Sequence, residues 1–109
     1  NGEWNLSLDG FKFLIQADGN NQLADNCQYW IGEIYYSQKD FKRAIAEFER
    51  VFHYADTDKH DDAQLKIGLS YQSLGNIDKA REEFKRLIDH FPGSEFYPKA
   101  KDAFKQLSM

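Results

Sequence analysis

Two stretches of this chain are copies of each other, offset by 36 residues. The first reads Gln28-x-x-Ile31-Gly32-x-x-Tyr35 and then Ala44-x-x-x-Phe48. The second reads Gln64-x-x-Ile67-Gly68-x-x-Tyr71 and then Ala80-x-x-x-Phe84, with Pro92 closing it. Apolar residues three, four and seven apart mark one face of a helix. The eight residues between the Tyr and the Ala of each copy leave room for a turn, so each copy is a helix–turn–helix unit. A unit of that size cannot bury its apolar face alone and must stack on its neighbour.

The repeated residues have separate physical tasks. Gly32 and Gly68 let the two helices of a hairpin approach without an intervening side chain; Ala44 and Ala80 do the same from the second helix. Tyr35, Tyr71, Phe48 and Phe84 fill the volume beside that contact. Asp40 and Asn76 stand where an N-cap belongs, and Gly75 supplies a permissive turn backbone. Pro92-Gly93-Ser94 stops one helix and starts the next, with Ser94 as the expected cap. Pro98 is tolerated because it falls in a first turn, where N–H groups have no intrahelical partner. Apart from its first residue, a Gln in both copies, the pattern resembles the tetratricopeptide (TPR) repeat.

That resemblance implies an all-α fold, a TPR superhelix of antiparallel helix pairs. Six helices are expected, at about 4–16, 23–37, 41–54, 60–74, 77–91 and 95–107. They order the single domain (1–109) as a half repeat (4–17), two full repeats (23–56 and 60–92) and a capping helix (94–108). In the half repeat Gly2, Phe11 and Leu14 align with Gly75, Phe84 and Leu87. The chain opens in mid-pattern, as a piece of something longer would.

Composition bounds the function. Charged residues are 29% of the chain and the net charge is −4, which argues against duplex nucleic acid, where affinity rests on many Lys/Arg–phosphate contacts. No run approaches the roughly 18 apolar residues of a membrane span. The one cysteine, Cys27, excludes an intramolecular disulfide and reads as a small buried filler.

A step of about 100° per residue divides the 23–37 helix into three faces. Ile31, Gly32 and Tyr35 point at the partner helix, and Cys27, Trp30 and Ile34 toward the adjoining repeat. Asn26, Tyr29, Glu33 and Tyr36 form a third face; Asp62, Leu65, Leu69 and Gln72 are its counterpart in the next repeat. Stacked first helices line a concave groove, so these eight residues are the expected partner-binding surface. A groove carrying Glu33 and Asp62 does not resemble the Lys/Arg/Asn clamp that co-chaperone TPRs use for a C-terminal carboxylate.

Other constellations fail. Asp56-Thr57-Asp58-Lys59-His60-Asp61-Asp62 suggests a calcium loop, but the places that need Gly and Glu hold Asp61 and Ile67. His53, His60 and His90 lack neighbours at metal-ligand spacing. Glu82/Glu83 and Glu47/Glu49 fall on expected solvent faces, with Glu82–Arg86 and Asp62–Lys66 spaced for i,i+4 pairs. No nucleophile–base set and no phosphate loop emerges; a non-enzymatic binding module without cofactor or metal is expected.

The stretch Cys27-Gln28-Tyr29-Trp30-Ile31-Gly32-Glu33-Ile34-Tyr35-Tyr36 goes beyond the general pattern. It resembles the C-terminal domain of the YbgF/CpoB family of Tol–Pal system proteins, periplasmic cell-division coordinators. Lys39-Asp40-Phe41-Lys42-Arg43-Ala44-Ile45-Ala46-Glu47-Phe48, Leu65-Lys66-Ile67-Gly68-Leu69-Ser70-Tyr71 and Phe91-Pro92-Gly93-Ser94 extend the likeness over most of the chain. Cys27 stands where that family has Ala, and Asp56-Thr57-Asp58 replaces a Pro-containing loop. The resemblance implies a periplasmic adaptor contacting envelope proteins such as TolA-like proteins or peptidoglycan synthases. A scaffold of an outer-membrane assembly complex, or a regulatory TPR domain of a larger enzyme, is the alternative.

The first helix carries an apolar stripe, Trp4, Leu8, Phe11 and Ile15, while Leu6, Phe13 and Leu14 lie outside it. An uncovered patch of this kind is expected to make a contact outside its own chain, such as a homodimer through Leu6 and Phe13.

Overall fold

The computed structural model describes residues 12, 22–54 and 58–109. Apart from Lys12, the expected helix at 4–16, with its Leu6 and Phe13 contact, and the Asp56–Thr57 part of the acidic loop lie outside the described residues. Among those described, five α-helices follow one another: α1 (Gln22–Ser37), α2 (Phe41–Arg50), α3 (His60–Ser73), α4 (Ile77–His90) and α5 (Tyr97–Leu107). Helices α1 and α2 form one hairpin, α3 and α4 the next, and α5 packs on α4. The architecture is the all-α helical repeat expected from the duplication.

Both hairpins close on the same contact. A Cβ built on Gly32 would lie 2.6 Å from the Phe48 ring, and one on Gly68 2.7 Å from Phe84. Each glycine is a seat for a phenylalanine of the second helix. Phe48 and Phe84 are fully buried beside Ala44 and Ala80. One core cluster joins Tyr29, Ile31, Tyr35, Phe48 and Val51 to Ala63 and Ile67 of the next repeat; the other joins Leu65, Phe84 and Leu87 to Ala100 of α5. Stacking of repeats, not the hairpin alone, therefore completes each core.

The Gln that departs from the TPR pattern has a defined task. The Gln28 side-chain amide donates to the Glu47 backbone carbonyl and to Glu47 Oε1, both at 2.9 Å. Gln64 repeats this on Glu83 at 3.0 and 2.9 Å. Arg50 and Arg86 sit beside the same carboxylates at 3.6 and 3.4 Å. Glu47 and Glu83 thus do not lie on solvent faces as the sequence suggested; each turns inward to receive a Gln. Arg86 accordingly pairs with Glu83 and not with Glu82.

The turns are equally regular. Lys39 and Gly75 both adopt the left-handed conformation, with φ of 62° and 80°. The next amide bonds back to Tyr35 and Tyr71, in the 6→1 arrangement that ends a helix. Asp40 and Asn76 then cap the second helices by accepting from the Arg43 and Lys79 amides.

Two boundaries differ from expectation. Helix α2 stops at Arg50 and tightens into a 3-10 turn over Val51–His53, with Tyr54 extended. Helix α5 begins at Tyr97, not near Glu95, and Ser94 does not cap it. The Ser94 hydroxyl instead accepts from the Phe96 amide and pairs with Asp61 of α3, tying the last loop back to the second repeat. Pro98 falls in the first turn of α5, as expected.

Candidate protein-binding face

Helices α1 and α3 lie side by side, and their junction decides which predicted groove residues are available. Two are not. Tyr29 is 5% exposed and Leu65 4% exposed. Tyr29 packs on Phe48, with ring centroids 5.5 Å apart, and lies under Lys59 at 5.3 Å; Leu65 belongs to the core around Phe84. A helix further along the chain covers each of them: Ala63 and Ile67 share a core with Tyr29, and Ala100 of α5 shares one with Leu65. Burial, followed by the nearby Glu33, Asp62 and Asp61 carboxylates, raises the Tyr29 phenol well above its usual range.

The other six remain reachable. Asn26, Glu33, Tyr36, Asp62 and Leu69 are half-buried and Gln72 is exposed. Tyr36 stands edge-on to Phe41 at 5.3 Å. Lys66 does not pair with Asp62. Its ammonium reaches across the junction to Glu33 Oε1 at 3.3 Å and lies 4.5 Å from the centre of the Tyr36 ring. Lys66 is thus a face residue that sequence reasoning missed; it lies four places after Asp62, but its partner is on the neighbouring helix. The Asp62 carboxyl is pushed up by burial and by Asp61, with smaller contributions from Glu95 and Glu33 against Lys59.

The pattern changes one junction along. By the 36-residue register, Glu33, Tyr36 and Lys66 correspond to Leu69, Gln72 and Asp102. The ion pair and the aromatic ring have no counterpart there. On the residues expected to face the adjoining repeat, Cys27 and Ile34 are buried, but Trp30 is 45% exposed. A separate open hollow of about 390 Å³ lies between Lys42, Ile45, Tyr71, Leu74 and Asn76. It uses none of the predicted residues; exposed Leu74 is its only sequence signal.

A family model described as tetratricopeptide repeat matches residues 25–57, and a second of the same description matches residues 62–94. The two segments coincide with the α1–α2 and α3–α4 hairpins. The chain carries a tetratricopeptide-repeat domain. No curated protein matches it. In this TPR domain the second matched segment ends at Ser94, so α5 is the first helix of a further unit by register. At the place of Gly32 and Gly68 it carries Phe104, a large side chain where a second helix would have to approach closely. TPR domains are in general non-catalytic protein-interaction modules. Among the described residues no helix is long and apolar enough to cross a membrane.

Proposed function

We propose that the domain is a non-enzymatic adaptor that holds a protein partner across the α1–α3 face. The observation that carries this is the row Glu33, Tyr36, Lys66, Leu69 and Gln72. These residues stand outside the repeated skeleton, yet share one face of adjoining helices. Tyr beside charged and aliphatic side chains is the composition favoured where proteins meet. The residue-by-residue likeness of the α1 sequence to the YbgF/CpoB family supports a periplasmic adaptor of the cell envelope. TolA-like proteins or peptidoglycan synthases are the partners that this likeness suggests.

The test is titration of the domain with purified proteins of those two classes. Tyr36→Ala combined with Leu69→Ser should weaken binding at least tenfold while leaving the helical circular-dichroism signal intact. Loss of an anchor at a hot spot typically costs ~2 kcal/mol or more. Undiminished binding by a folded double variant would place the partner elsewhere.

A further inference from the structure

The contact of Lys66 with Glu33 and Tyr36 is not built as a finished ion pair. Glu33 Oε1 has no accessible surface, and among the described residues no group donates a hydrogen bond to it. The Lys66 ammonium is close enough, at 3.3 Å, to attract the carboxylate, but it is not aligned to donate. It divides its position between that oxygen and the Tyr36 ring 4.5 Å away. A carboxylate beside an aromatic face is an acceptor pair that receives a cationic side chain. The side chains of Glu33 and Lys66 are 23% and 24% exposed, so the place opens to solvent on one side.

We propose that Glu33 and Tyr36 form a receptor for an arginine side chain of the partner, and that Lys66 fills it in the free domain. Charge complementarity selects a cation. Geometry selects guanidinium over ammonium: its planar fork donates two parallel hydrogen bonds to one carboxylate and stacks on a ring, whereas an ammonium is a point charge. The incoming arginine displaces Lys66 into solvent, so the domain's own lysine competes with the ligand. Among the described residues the register allows one such site, because the equivalent positions at the next junction are Leu69, Gln72 and Asp102. The inference rests on the binding-face reading only for the route of the partner chain.

The probe is the peptide acetyl-Gly-Arg-Gly-amide, with citrulline in place of arginine as its uncharged control, titrated into the full 109-residue chain and followed by NMR shifts. Lys66→Met vacates the receptor while keeping the aliphatic stem. It should bind the arginine peptide at least tenfold more tightly than the unaltered domain, and the citrulline peptide no better. Adding Glu33→Gln should abolish the gain. Equal binding of both peptides, or no gain in folded Lys66→Met, overturns the proposal. If Lys66→Met does not fold, Lys66→Gln gives the same reading; if neither folds, Lys66 is a strut and the proposal fails. None of these outcomes depends on the partner, so a failed receptor leaves the binding-face titration to be judged by itself.

Discussion

The two repeats share a skeleton and differ where they face outward. Gln28–Glu47–Arg50 recurs as Gln64–Glu83–Arg86, and Gly32 under Phe48 recurs as Gly68 under Phe84. The caps Asp40 and Asn76 recur as well. Against that constancy, Glu33 is replaced by Leu69, Tyr36 by Gln72, and Lys39 by Gly75. What repeats closes the hairpin. The first two of these differences lie on the face between first helices and the third in a turn, while others, such as Tyr29 against Leu65, are buried in the cores. The second helices also end differently: α4 runs to His90 with Leu87 buried, whereas α2 stops at Arg50 and Val51 reaches the core from a 3-10 turn.

The comparison can be broken first at its tightest point. Gly68→Leu should cost about 2–3 kcal/mol, since the added side chain meets the Phe84 ring and overpacking of a closed contact is costly. Gly32→Leu should cost the same within ~1 kcal/mol. Urea denaturation checks both, and an unchanged midpoint in either would remove the glycine seat from the account.

Removing the clamp separates the repeats by burial. Gln64→Ala leaves the buried Glu83 carboxylate without its amide donor and should cost ~2 kcal/mol. Gln28→Ala should cost ~1 kcal/mol, because Glu47 is nearer to water. Equal losses in thermal melts would contradict that ordering.

The turns differ in sign. Lys39 adopts a conformation that disfavours a side chain, so Lys39→Gly should stabilise by about 1 kcal/mol, while Gly75→Ala should destabilise by a similar amount. The smallest effect concerns pH. A carboxyl whose pKa is raised in the fold opposes folding once it is ionised. The penalty is complete once pH exceeds the raised pKa and disappears as pH falls below its unfolded value, near 3.8. Asp62→Asn should therefore raise the melting temperature at pH 7 and leave it unchanged below that value. A gain that persists in acid would point to packing and not to charge.

Much of this architecture was legible because a repeat reports its own register. Two copies in phase identified the Gly–Phe contacts, the caps and the hairpin order, and a TPR domain followed from them. The misreadings share one cause. Tyr29 and Leu65 look exposed on a wheel drawn for one helix, and Glu47 and Glu83 look solvated by residue type. Burial there is decided by a neighbouring helix or a neighbouring repeat. Lys66 was missed for the same reason: spacing along α3 favours Asp62, but the nearer charge and ring belong to α1. Helix α5 starts at Tyr97, later than spacing suggests, and the Ser94 hydroxyl serves the preceding turn by accepting from the Phe96 amide and donating to Asp61.

The central claim is that the repeated skeleton, and not the variable face, holds the fold. Urea denaturation of the Glu33→Leu/Lys66→Gln double variant tests it most directly. The pair is partly solvated, and such pairs contribute up to about 1 kcal/mol. The account predicts a loss of no more than ~1 kcal/mol with the cooperativity of the transition unchanged. A loss as large as that of Gly68→Leu would contradict it, because the face would then be part of the frame.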